Sequence, residues 1–381
     1  IQGGTRHPVL PATQGLQIMN FIRNALTFFK ARRKLTNFIL FAVCVLTAFA
    51  MRTSHYNREA LSVAAMIGDA PPANMSFVSH FFPTYHPNFM PFTLESAMMY
   101  AYTQDIANGK GVPAVDKSLL GLEDLAPYQQ MNMALEWFLG WGYRIKSVVF
   151  KDPKPTADEL RFQDNPYLAQ WASTQLRFWV SLTTGFIFLL LVTLRCPRKY
   201  ALFGAMLHAV AIAAIARSTG QDIIRGEFCI PIIVGAILLM HSHYVSPKKW
   251  KLALLFLAVF IGFIAWDLCQ MIFSSLAIFE IIRFVLGGMT TVRRRNVWIM
   301  IAMPIALNAF VVPFNVTYQL IMSPLLLIIL PTLMLIMFAG RTKHFVTQAA
   351  WKRICARLLI AVVFPLCLYA FWITCVRTPE Y

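Results

Sequence analysis

Runs of apolar residues, almost free of charge and about as long as a bilayer is thick, recur along this chain. A stretch of about 18 or more such residues reads as a membrane span, because a helix satisfies its own backbone polar groups where no water can. The first run is 35–51. Further runs cover 171–194, 200–216, 228–245, 251–266, 268–286, 297–314, 316–338 and 358–376. They predict an all-α, polytopic transmembrane helical bundle of about nine spans, with tight hairpins at Asp267 and Asn315. Composition agrees: 13% of residues are charged, where a soluble domain carries about 25%.

The formal net charge is +17. In a soluble protein that excess would point to nucleic acid. Here the basic residues sit in short clusters between apolar runs, and no groove-reading motif accompanies them, so no nucleic-acid partner is expected. The clusters are Arg195, Arg198 and Lys199; Lys248, Lys249 and Lys251; Arg293 to Arg295; and the stretch from Arg341 to Arg357. They fall on every second connection, while the alternate connections carry little beyond Arg217 and Arg225. By the positive-inside rule this places the N-terminus in the cytoplasm and the C-terminus outside. Residues 1–34 read as an amphipathic helix running into a basic anchor, with no cleaved leader. The seven cysteines lie mostly in apolar runs and show neither a disulfide framework nor zinc spacing; they read as small apolar packers.

Between the first span and the rest lies 52–170, rich in Pro, Asn and aromatics. A structureless loop of this length is improbable, so helices at 94–108 and 128–145 are expected to form a small helical subdomain on the outer face. The bundle proper is 171–381.

Function in such a chain is sought in polar groups that do not belong in a membrane. Glu95 opens a helical run, and reads either as a functional carboxylate or as a helix-start anion. Arg217, Asp222, Arg225 and Glu227 crowd one short outer connection. The carboxylates suit a divalent metal and the arginines a phosphate, unless all four simply pair in a solvated loop. Trp266, Asp267 and Gln270 mark an outer hairpin, with Asp267 either capping a helix or lining a cavity. Glu280 and Arg283 read as a structural pair at i,i+3. Arg177, His208, His241 and His243 read as structural residues near span ends.

The order of these features resembles a family. Glu95-Ser96-Ala97, the tyrosines Tyr100 and Tyr102, the run from Ile106 to Asp116, Glu136-Trp137, and the segment from Arg217 to Pro231 occur in that sequence. Together they are similar to the type-C glycosyltransferase superfamily, especially bacterial relatives of the oligosaccharyltransferase catalytic subunit. The resemblance implies inverting sugar transfer from a polyprenyl-phosphate or polyprenyl-diphosphate donor, at the outer face of a bacterial inner membrane. It implies catalytic and metal-binding roles for Glu95, Asp222 and Glu227, with a divalent cation (Mg or Mn) as cofactor. From charge, Arg217 and Arg225 are expected to hold donor phosphate. Membrane lipids and the lipid-linked donor are the expected partners. The alternative is a catalytically inactive relative serving as a membrane subunit among others, because Glu95 stands where oligosaccharyltransferases carry Asp-Pro. A transporter is disfavoured, because no pair of Gly/Pro-broken spans repeats in two halves.

Overall fold

The computed structural model describes residues 33–66, 94–117, 125–152, 165–220, 222–288, 290–339 and 350–376. The expected amphipathic helix before residue 33 and the basic connection at 340–349 lie outside them. Among the described residues every regular element is helical, and the only strand-like contact is an isolated bridge between Asp116 and Leu125. Four helices among the described residues are long and apolar enough to cross a membrane, at Arg33–Ala60, Pro166–Thr193, Arg225–Val245 and Ala350–Phe371. This is the architecture of an integral membrane protein.

The chain runs α1 (Arg33–Met66), α2 (Leu94–Ala107), α3 (Pro127–Gln130), α4 (Ala134–Val149), α5 (Pro166–Thr193), α6 (Arg198–Val210) and α7 (Ile212–Ala216). Then come α8 (Arg225–Val245), α9 (Lys249–Ala265), α10 (Cys269–Val285), α11 (Val292–Val311), α12 (Pro313–Thr317), α13 (Leu330–Ala339) and α14 (Ala350–Val376). Local chemistry sets several starts. Asn165 caps α5 by accepting from the Leu168 N–H at 3.0 Å, and Pro166 supplies the preset φ of a first helical residue. Thr291 caps α11 through the Arg294 N–H at 3.3 Å.

Helix α8 packs between α5 and α9, α11 lies on α9, and α1 lies on α5. Gly185 of α5 lets α1 approach closely: a methyl group there would run into Phe41 and Val45. Phe138, Trp179 and Phe228 form an aromatic cluster with centroids 5.1–5.5 Å apart, and Trp179 Nε1–H donates to the Phe228 carbonyl at 2.8 Å. The cluster fastens α4, from the first long connection, to α5 and α8. Gly140 of α4 rests against Ile106 and the Thr103 carbonyl of α2, so the two helices form one unit.

Four expected elements differ from what forms. The helix expected over 128–145 is two, α3 and α4, parted at Met131, which is extended. The first apolar helix does not stop at Met51 but continues to Met66, because Arg52 finds acceptors inside the protein. The run 200–216 breaks at Ala211, which is extended, between α6 and α7. The run 316–338 is not one helix. Asn315 sits in α12 rather than in a turn, Gln319 adopts a left-handed φ of 51°, and a 3₁₀ turn and a π-helical turn precede α13.

Side-chain contacts sort into two ends. At the basic end, Arg198 donates to Asn37 at 2.8 Å, Lys251 to the Ser246 carbonyl at 2.9 Å, Arg293 to the Tyr244 carbonyl at 3.1 Å and Arg357 to the Phe284 carbonyl at 3.3 Å. Glu280 there takes both Arg283, as its i,i+3 spacing predicts, and Arg294. The other end gathers α2, α4, the connection 217–224 and the hairpin at Asp267.

Candidate functional site

The connection 217–224 is gripped from three sides. Arg52, 1% exposed in α1, donates through Nε to Ser218 Oγ at 2.7 Å and through its other nitrogens to the carbonyls of Ala48 and Ala214. Arg177, 5% exposed in α5, donates to the Thr219 carbonyl at 3.4 Å and to Thr174 Oγ1 at 3.1 Å, and lies 4.1 Å over the Tyr56 ring. Ser96 of α2 accepts from the Ile223 N–H at 2.9 Å. Gly220, at φ +81°, is pressed against the Ser173 carbonyl, where a Cβ would collide. Only glycine accepts both that φ and that contact without strain.

The grip delivers two carboxylates. Glu227 occupies the first turn of α8, where the helix dipole favours an anion. Its residue is 6% exposed, yet neither carboxylate oxygen has a hydrogen-bond partner. Arg52, Asp222 and Arg217 are the charged groups that face it. Asp222 is half-buried with Oδ1 also unpartnered, and Arg217 is exposed. Burying an unpaired charge is costly, so a fold that keeps these oxygens free leaves room for something that satisfies them. Three free carboxylate oxygens are hard donors of the kind a divalent cation takes. Among the described residues, no three His, Cys, Asp or Glu side chains gather in a way that would hold a metal. The Glu95 side chain lies outside the described residues. The hydrogen bond from the Ile223 N–H to Ser96 Oγ nevertheless places the residue after Glu95 beside the residue after Asp222.

Arg225 is placed differently from its neighbours. It forms an ion pair with Glu136 of α4 at 2.7 Å, and the Glu136 side chain is fully buried. Burial pushes the Glu136 carboxyl above the usual carboxylate range, while Arg225 pulls it back down. Arg225 also walls a cavity of about 770 Å³ between α3, α8, the α9–α10 hairpin and α12. Trp266, Asp267 and Gln270 line this cavity together, and Gln130, Asn132, Asn315 and Gln319 add amides. Asp267 lines the cavity rather than capping α10: its Oδ1 accepts from the adjacent Leu268 N–H at 2.9 Å, and the residue that precedes the helix is Leu268. Trp266 packs over Gly226, one residue from Glu227, so the cavity wall and the buried carboxylate share a helix turn.

The tyrosines of the first connection serve the scaffold. Tyr102 donates to Asp116 at 2.8 Å, and Tyr100 to the Asn165 carbonyl at 2.9 Å. Burial and the Asp116 carboxylate push the Tyr102 phenol up. Tyr143 donates to Asp152 at 2.6 Å, and burial lifts it to about 12. Arg52 and Arg177 are site residues that the sequence does not mark: Arg52 is the residue that follows the apolar run 35–51, and Arg177 reads as structural near a span end. A recoverable signal was present, because Arg52 opens the run Arg52, Thr53, Ser54, Asn57 of buried polar residues within one continuous helix. Comparison of the chain with models of known protein families and with curated proteins gave no match.

Proposed function

We propose that this protein is a membrane glycosyltransferase that moves a sugar from a polyprenyl-phosphate or polyprenyl-diphosphate donor at the outer face of a bacterial inner membrane. In this reading the bundle has about nine spans, the N-terminus is cytoplasmic and the C-terminus outside. The observation that carries the proposal is Glu227, buried at the end of a rigid connection with both oxygens free. The alternating basic clusters and their collection at one end of the bundle support the orientation.

Sugar transfer with inversion forms a bond from the acceptor oxygen or nitrogen to the anomeric carbon as the bond to the phosphate oxygen breaks. Glu95 would orient the acceptor and take its proton. Asp222 and Glu227, with Glu95, would hold a Mg or Mn ion, which offsets charge on the leaving phosphate when bound. Arg217 is exposed and free to meet a phosphate. Arg225 reaches the cavity while anchored on Glu136. The amides of Gln130, Gln270 and Gln319 match sugar hydroxyls as donors and acceptors, and Trp266 and Tyr318 offer aromatic faces. A subunit without catalysis would gain stability by pairing Glu227 with an arginine, whereas here Arg225 is committed to Glu136.

The test is transfer from a polyprenyl-phosphate sugar by the chain in lipid vesicles. Glu95→Gln and Glu227→Gln should insert normally and lose transfer by about 100-fold or more. Wild-type rates in both variants would remove the enzymatic reading.

A further inference from the structure

We propose that Cys229 and Cys269 form a disulfide that locks the first turns of α8 to the α9–α10 hairpin. Their sulfurs lie 3.0 Å apart, closer than two thiols at rest, and both residues are fully buried. Bond formation needs an approach of about 1 Å, within reach of small side-chain rotations. The neighbourhood is shaped for the pair. Gly262 of α9 faces both sulfurs, and a methyl group there would meet Cys269 Sγ at 3.4 Å and Cys229 Sγ at 3.9 Å.

Hydrogen-bond accounting favours the bond. As thiols, both cysteines lean on the Gly262 carbonyl, at 3.6 Å and 3.2 Å. That carbonyl already accepts from the Trp266 N–H at 3.0 Å. Oxidation therefore removes two weak donors and leaves no buried acceptor orphaned. The position gives the bond a consequence. Cys229 follows Glu227 by two residues, and Cys269 follows Asp267 by two. The cross-link would fix the buried carboxylate relative to the cavity wall.

The oxidant is a disulfide compound, either a small molecule or an oxidoreductase, that meets the cysteines as the chain folds, before both sulfurs are buried. The Cys269 thiolate, on the first residue of α10, attacks one sulfur of the oxidant and expels a thiolate. The Cys229 thiolate then attacks Cys269 Sγ and expels the second half. Two protons pass from the cysteines to the two released thiols. The cysteine pair loses two electrons and the oxidant gains them.

The test uses the solubilised, folded chain purified without reductant, then acid-quenched, unfolded, alkylated without reductant, digested and weighed by mass spectrometry. The Cys229 and Cys269 peptides should appear as one species, lighter than their sum by two hydrogens, which separates on reduction. Cys44 and Cys196 should be recovered unlinked to either of them. Recovery of Cys229 and Cys269 as separately alkylated peptides would overturn the proposal. In Cys229→Ser, Cys269 should become alkylatable or carry glutathione. Linkage of Cys269 to any other cysteine of the chain in that variant would also overturn it.

Discussion

At the residue scale, two buried charges face each other without touching. Arg52 spends its donors on Ser218 and two carbonyls, while Glu227 keeps both oxygens free. Arg52 is satisfied by those acceptors, and its charge offsets part of the cost of burying Glu227. Arg52→Met should therefore destabilise the protein by about 3 to 5 kcal/mol, the cost of leaving a buried charge uncompensated. The double variant Arg52→Met with Glu227→Gln should recover part of that loss, and denaturation of all four proteins in detergent measures the coupling. Strict additivity would show that the two residues do not sense each other. The sequence pointed to Glu227 through its crowding with Asp222 and the two arginines. It did not point to Arg52, because a charge after an apolar run looks like the end of a span. Nor did it pair Arg225 with Glu136, which stands 89 positions away, since only packing joins them.

At the element scale, hydrophobic spacing found most helices closely. The expected 94–108 is Leu94–Ala107, 251–266 is Lys249–Ala265, and 268–286 is Cys269–Val285. It missed the broken path from α12 to α13. Ser323 and Pro324 punctuate an apolar run there, and hydropathy averages over such punctuation. The element that matters most for the site is the connection 217–224, held by side chains from α1, α2 and α5. Gly220→Ala should cost roughly 1 to 2 kcal/mol for the left-handed backbone, plus the collision with the Ser173 carbonyl. Thermal unfolding would register that cost. A midpoint equal to wild type would mean that the connection adapts and is not the rigid frame described.

At the scale of the whole molecule, the two ends divide the labour. The basic end carries Arg198, Lys249 and Arg293, and the opposite end carries Asp116, Asp222 and Asp267. Single cysteines at Lys249 and Asp116 in a background free of other cysteines should label from opposite sides of the membrane, with Asp116 reached from outside. Labelling from the same side would refute the topology. On the proposed function, Glu227 is kept buried and free for a reaction rather than for stability. A carboxylate of that kind weakens the fold, and a neutral amide of the same shape removes the burden. The most direct measurement is therefore the thermal midpoint of Glu227→Gln beside its transfer rate. We expect the midpoint to stay level or rise while transfer is lost. A midpoint several degrees lower, with transfer unchanged per folded molecule, would make Glu227 a structural residue.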